Sequence, residues 1–218
     1  MSKSIKNCDL FTVETPYLKE LFSSFTYAYE VVKNIGDYIL KIAPLLCNFT
    51  QLKEGVYIGS NVKIYPNVII EPPAILGGGT VLRTGAFLRG NVITGENCVI
   101  GNSTELKNCV LLNGVQVPHY NYVGDSVLGN FSHLGAGTVC SNLKLDGSNI
   151  VLKIDNGHNT NMRKLGAILG DHANVGSCSI LNPGTVLGKN SVAYSGLTLR
   201  GVYESNVIIK QNEIVKKE

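Results

Sequence analysis

The sequence predicts an all-β protein, a triangular parallel β-helix preceded by a short helical segment, and three observations predict it. Aliphatic residues recur every six positions through most of the chain, glycine repeatedly follows them, and helical spacing is confined to roughly the first fifty residues. An α-helix cannot generate a period of six, and an irregular β-sandwich would give strands of varied length without a fixed period.

The amino-terminal elements come first. Thr15-Pro16 reads as an N-cap followed by the first helical position, and Leu18, Leu21, Phe22 and Phe25 follow at helical spacing. A second stretch, with Val31, Ile35, Ile39 and Ile42, keeps that spacing until Pro44. Residues 1–50 are therefore expected to form a helical cap over the open end of the β-helix, shielding its strand edges from pairing with other chains.

The repeat occupies residues 51–210. Stepping by six from Ile58 gives Ile64, Ile70, Leu76, Leu82, Leu88, Thr94, Ile100, Leu106 and Leu112, nearly all aliphatic. Four positions after these residues come small or β-branched ones, among them Val62, Ala74, Ala86, Cys98 and Val110. The register slips after Leu112, resumes at Leu128 and Leu134, and returns in Leu169, Val175, Leu181, Leu187, Ala193 and Leu199. Each hexad is a short strand and a turn, and three hexads close a coil of eighteen residues. Coils stack by parallel hydrogen bonding at about 4.8 Å, which piles the aliphatic residues into one continuous core. Residues 143–165 break the repeat and are expected to form a surface loop over the groove; residues 211–218 form a tail.

Composition bounds the function. The 218 residues carry a net charge of +3 with no polybasic run beyond Lys216-Lys217, which argues against nucleic acid as a partner. Residues 1–11 are too polar for a secretory leader, and no stretch approaches the roughly 18 apolar residues of a membrane span, so a cytoplasmic protein is expected. The six cysteines are scattered without a CxxC pair, as in a reduced chain with neither a disulfide framework nor a zinc knuckle.

Because one coil is eighteen residues, side chains eighteen apart should sit above one another. Arg89 and Lys107 each follow a core residue, Leu88 and Leu106, and strand alternation points both outward on one face. Stacked like charges repel unless something negative lies against them. Glu71, eighteen residues before Arg89, could supply that charge, and so could a bound phosphate; spacing leaves the two equal. His119 lies where the hexad register slips, and an imidazole there could take a proton from an attacking amine near neutral pH. His133, one residue before the core position Leu134, also points outward.

Three stretches then resemble a known family: Ser103-Thr104-Glu105-Leu106-Lys107-Asn108, Pro118-His119-Tyr120-Asn121-Tyr122-Val123-Gly124-Asp125-Ser126, and Gly135-Ala136-Gly137-Thr138. They are similar to the carboxy-terminal acetyltransferase half of the bifunctional glucosamine-1-phosphate acetyltransferase/N-acetylglucosamine-1-phosphate uridylyltransferases. Residues 163–171 resemble more closely the archaeal-type sugar-1-phosphate nucleotidylyltransferase/acetyltransferases. The resemblance covers roughly residues 80–200, and it implies the left hand of the β-helix, since crossover connections are otherwise right-handed.

The resemblance also implies roles. His119 matches the catalytic base; Arg89, Lys107 and Tyr122 match residues holding the sugar and its 1-phosphate; Asn142 matches a polar contact near the reacting group. Ala136, Ser177, Ser195 and Lys210 fall at positions similar to acetyl-CoA contacts. His133 stands where the bacterial enzymes carry an asparagine at the sugar. Leu143 replaces an aromatic residue, and Ser148 and Val151 replace lysines of the archaeal type. The chain shows no nucleotidyltransferase domain, so a separate enzyme is expected to use the product. No metal is expected: γ-class carbonic anhydrases of this fold bind zinc on three histidines, two of them five residues apart, and the histidines at 119, 133, 158 and 172 include no such pair.

The expected reaction is acetyl transfer from acetyl-CoA to an amino-sugar 1-phosphate in nucleotide-sugar synthesis, with an N–H of the Gly135–Thr138 corner, Ala136 in particular, donating to the oxyanion. The expected assembly is a homotrimer with sites between subunits. Two alternatives compete: an acyltransferase using another amino sugar or a longer acyl donor, and a non-catalytic β-solenoid scaffold.

Overall fold

A computed structural model describes residues 3–154 and 156–217. Short strands wind into a parallel β-helix of about eight coils. We number its faces by the order in which a coil meets them. Face one stacks Val56–Ile58, Ala74–Leu76, Val92–Thr94 and their successors up to Val202–Tyr203. Face two runs from Lys63–Ile64 to Val207–Ile209, and face three from Ile69–Glu71 to Thr198–Leu199. The hexad residues point inward as expected: Leu76, Leu82, Leu88, Ile100, Leu106, Leu134 and Leu187 are fully buried in one core. Cys98, Cys109 and Cys140 fill small positions of that core, where burial pushes the thiols of Cys98 and Cys140 up to about 12.

The register slips earlier than the repeat alone suggested and again in the next coil, and a further shortening lies near the end, where Leu187 pairs with Tyr203 sixteen residues on. Leu106 pairs with Leu88, eighteen residues before it, but with Val123, only seventeen after it. Leu111 pairs with both Thr94 and Leu128, and is the inward residue in place of Leu112. Glu105–Leu111 and Tyr122–Leu128 run unbroken around the corner between faces three and one. Asn108 (φ 47°) and Asp125 (φ 48°) make the bend in the left-handed region, which short Asn and Asp side chains tolerate better than most. Each such side is one residue short. Leu112 is aliphatic for another reason: it belongs to the second hydrophobic cluster, outside the coil.

That second cluster corrects the placement of the helices. Six outward residues of face one, Ile75, Ile93, Val110, Val127, Ile168 and Val186, are fully buried. They are covered by helices α1 (Asn7–Leu10), α2 (Pro16–Ser23) and α3 (Ala28–Ile42), with α3 lying against the strands Val92–Thr94, Glu105–Leu111 and Tyr122–Leu128. The helices thus sheathe a side of the prism, not its open end. Burying a side chain of this size is worth about 1.5–3 kcal/mol, and face one presents an unbroken apolar column to receive them. Strand edges are closed instead by hairpins: Thr50–Lys53 pairs antiparallel with Val56–Ile58, and Ile214–Lys216, in the expected tail, pairs antiparallel with Val207–Ile209.

The 143–165 insertion also packs on face one, not over the groove. Ile150, Leu152 and Leu165 enter the second cluster, Val151–Leu152 pairs with His158–Asn159, Tyr29 Oη lies 2.8 Å from His158 Nε2, and Lys33 Nζ donates to the carbonyl of Thr160 at 2.9 Å. No described helix is long and apolar enough to cross a membrane.

Candidate active site

His119, Ala136, Ser177 and Ser195 each lie two residues after an inward core residue of face two: Val117, Leu134, Val175 and Ala193. They therefore occupy one vertical line along the corner between faces two and three. Its backbone rungs are explicit: Gly137 N–H donates to His119 O at 3.0 Å, Cys178 N–H to Ala136 O at 2.8 Å, and Gly196 N–H to Ser177 O at 2.8 Å. The residues after them turn the corner in the left-handed region, Tyr120 at φ 51° and Gly137 at φ 71°. The slip expected at His119 is thus absent there, and an ordinary corner aims this side chain.

The amides at this corner are unevenly used. Gly135 N–H donates to Val175 O, Gly137 to His119 O and Thr138 to Gly135 O. The N–H groups of Ala136, Ser177 and Ser195 have no acceptor among the described residues. Beside them runs an open groove lined by His133, Gly135, Asn174, Gly176, Tyr194 and Ser195. Its floor must be glycine: a Cβ on Gly135 would stand 2.4 Å from Ser177 N, and one on Gly176 2.4 Å from Ser195 N. Lys210 follows Ile209, whose carbonyl accepts from Tyr194 N–H, so it continues this face; its Nζ is held by Glu213 at 2.7 Å.

The His119 ring is exposed and makes no hydrogen bond among the described residues. Its backbone is fixed through Asn121, whose Oδ1 accepts from His119 N–H at 3.1 Å and whose Nδ2 donates to Gly135 O at 2.8 Å. His133 is half-buried; burial first, and the nearby His119 second, lower its pKa and favour the neutral ring.

Around the corner, face three carries the remaining candidates. Arg89 stacks on Glu71 as the repeat predicts, yet it bonds Glu105 instead, Nη1 to Oε1 at 2.7 Å. Lys107 lies beside Gly124, not a charged residue, and its Nζ is 3.7 Å from Asp125 Oδ2. Both cations therefore have carboxylate partners in the chain, and their stacking does not by itself require a bound anion. Tyr122 is next to Glu105 in register, and its hydroxyl accepts from Asn142 Nδ2 at 3.2 Å. Burial first, then the charges of Asp125 and Glu105, raise the Tyr122 pKa and keep the phenol protonated. Lys107, Tyr122 and Asn142 thus meet in one network, with Arg89 one coil away through Glu105. Sequence reasoning missed Asn108, Asn121, Asp125 and Glu105; the recurrence of Asn or Asp at coil corners was the available signal. No group of three or more histidine, cysteine or acidic residues among the described residues is arranged to hold a metal ion.

These features define a hexapeptide-repeat β-helix protein with a polar corner site. Residues 75–195 match the family described as the GMPPB C-terminal domain, and the chain belongs to it. It is 34% identical over 220 residues to a protein named bifunctional protein GlmU from Methanococcus maripaludis, covering 99% of this chain and 53% of that protein. It is 36% identical over 98 residues to a bifunctional sugar-1-phosphate nucleotidylyltransferase/acetyltransferase from Sulfurisphaera tokodaii, over 44% of this chain and 24% of that one. The chain spans about half or less of the curated relatives it matches, and no nucleotidyltransferase domain occurs among the described residues. Among solved structures, a UDP-N-acetylglucosamine acyltransferase from Campylobacter jejuni superposes with a TM-score of 0.52 at 13% identity, over 76% of this chain and 71% of that one. The shared fold is the left-handed β-helix.

Proposed function

We propose that this chain is an acyltransferase of nucleotide-sugar synthesis that N-acetylates an amino-sugar 1-phosphate, glucosamine 1-phosphate in the first instance, from acetyl-CoA. One observation carries the reading: the N–H groups of Ala136, Ser177 and Ser195, unpaired among the described residues, rise along a single corner from His119, and the Tyr122–Asn142–Lys107 network begins three residues beyond it. Amides repeating about every 4.8 Å along an open groove suit the amide carbonyls of an extended pantetheine arm. Lys210, at the far end of that face, suits a phosphate if it exchanges Glu213 for it.

In this reading His119 takes a proton from the acceptor amine as the nitrogen attacks the thioester carbonyl. Ala136 N–H donates to the oxygen that becomes negative, and the coenzyme A thiolate leaves as the C–N bond is completed and the carbonyl re-forms. A thioester is already activated, so positioning, proton removal and oxyanion stabilisation suffice. Arg89 and Lys107 hold the 1-phosphate with N–H donors not used by Glu105 and Asp125. His133, neutral and half-buried on the adjoining face, contributes to the choice of sugar.

The open flank of a single coil offers little concavity, which favours closure of the site by a neighbouring copy in a homotrimer, and a separate nucleotidyltransferase would take the product. The proposed domain limits are a helical sheath to about residue 50 and a catalytic β-helix to about residue 210, in a cytoplasmic protein. A free-thiol assay of coenzyme A release tests the reading, run across amino-sugar 1-phosphates with acetyl-CoA and acyl-carrier donors side by side. Turnover with acetyl-CoA and an amino-sugar 1-phosphate is expected. Turnover only with acyl-carrier donors, or none with any acceptor, sinks it, the latter in favour of the scaffold. Light scattering should give three times the chain mass.

A further inference from the structure

We infer that Asp125 is the positioning residue that makes Lys107, Asn142 and Tyr122 act as one unit, and that Asn108 ties this unit to helix α3. The substrate named below rests on the acetyltransferase reading; the geometry does not. Asn108, Asp125 and Asn142 follow one another at intervals of seventeen residues, one shortened coil each, and stack at the corner between faces three and one. Asp125 is only 5% exposed, and a buried carboxylate is stable only when its oxygens are matched. Asn108 Nδ2 donates to its Oδ1 at 2.8 Å, Asn142 Nδ2 donates to its Oδ2, and Lys107 Nζ lies 3.7 Å from that same oxygen. Asn108 Nδ2 also donates to the carbonyl of Val32 in α3 at 3.3 Å.

A ladder of carboxamides alone could not do this. The neighbours above and below both aim N–H donors at residue 125, so it must accept on both oxygens; an asparagine would turn its own amide against one of them. The carboxylate also decides which way Asn142 faces. With Nδ2 held between Asp125 and the Tyr122 hydroxyl, Asn142 Oδ1 is left without a partner among the described residues, an acceptor for a hydroxyl or amine of the ligand. Because Asn142 donates to the Tyr122 oxygen, the phenolic proton is free to donate outward. Asp125 thereby sets two recognition elements and holds the ammonium of Lys107 on the oxygen that Asn142 also bonds.

The test is Asp125→Asn in the full chain, with Lys107→Ala and the double variant. The KM for the amino-sugar phosphate should rise about tenfold in each single variant, the KM for acetyl-CoA should stay within about twofold, and the double variant should be no worse than the poorer single. Effects that multiply in the double variant, or equal rises in both KM values, overturn the inference. A second readout needs no substrate: in protein carrying 13Cζ-tyrosine, the Tyr122 resonance, assigned through Tyr122→Phe, should move in Asp125→Asn. An unmoved resonance overturns the inference even if the wild-type protein acetylates no amino sugar, an outcome that would remove the functional reading alone. Should Asp125→Asn not fold, Asn108→Ala removes one anchor and keeps the charge, and should shift the same resonance in the same direction by less.

Discussion

At the corner between faces three and one, the side chains of Asn108, Asp125 and Asn142 satisfy one another. At the corner between faces two and three, Ala136, Ser177 and Ser195 leave their backbone N–H groups unmatched among the described residues. Both corners come from the same repeat and use the same left-handed turn. What separates them is cover. Helix α3 and the 143–165 insertion lie against the first, so its polar groups must pair within the protein. The second faces solvent, where an unpaired amide costs little and remains available to a ligand. The β-helix thus places an interior-like polar network and an open row of donors on either side of face three, and the candidate acceptor residues lie between them.

The comparison can be broken most forcefully at the open corner. Ala136→Trp should fill the groove beside His119 and lower turnover about a hundredfold without changing the melting temperature, because the donor can no longer approach in line. Activity assay with thermal melting checks both halves; a large loss of stability would show that this corner is as tightly built as the other. At the closed corner the expectation reverses. Asn108→Ala should cost about 2–3 kcal/mol in denaturant unfolding, since it strands an acceptor oxygen of Asp125 and places a Cβ-bearing residue without a polar tip at φ 47°. Asn108→Gly should recover about 1 kcal/mol of that by relieving the backbone.

Smaller effects sharpen the boundary. Ser177→Ala keeps the backbone N–H and should raise the acetyl-CoA KM no more than about threefold, which steady-state kinetics would measure; a larger rise would move recognition from the amide to the hydroxyl. The least effect is expected from His133. Burial and His119 lower its pKa in the folded state, so the unfolded chain binds the proton more readily. Folding stability should be unaffected well above the ordinary value of 6.5 and decline as pH falls through it toward the lower folded-state value. His133→Asn should flatten that decline in melting curves taken across this range.

The fold was legible because one period governs the core: Leu76, Leu82, Leu88, Ile100 and Leu106 announce their inward direction by spacing alone. Leu112 shows where spacing misleads. It satisfies the count of six, but Asn108 has already shortened the coil, and its aliphatic character serves the sheath of helices instead. Helical spacing located α2 and α3, yet it could not tell an end from a side, because that depends on the outward residues of face one, whose apolar alternation was not used. In the site, the line through His119, Ala136, Ser177 and Ser195 was within reach of counting from core positions. The partners of Arg89 and Lys107 were not: Glu105 sits diagonally, opposite Phe87 two residues before Arg89, and Asp125 lies beyond the coil shift, where an eighteen-residue offset no longer holds.

The account turns on His119 as the base at the foot of the open row. Turnover of acetyl-CoA with glucosamine 1-phosphate, measured for wild type and His119→Ala together with calorimetric binding of the sugar phosphate, addresses this directly. We expect turnover to fall about a hundredfold or more while binding is retained. Unimpaired turnover in His119→Ala would contradict the account.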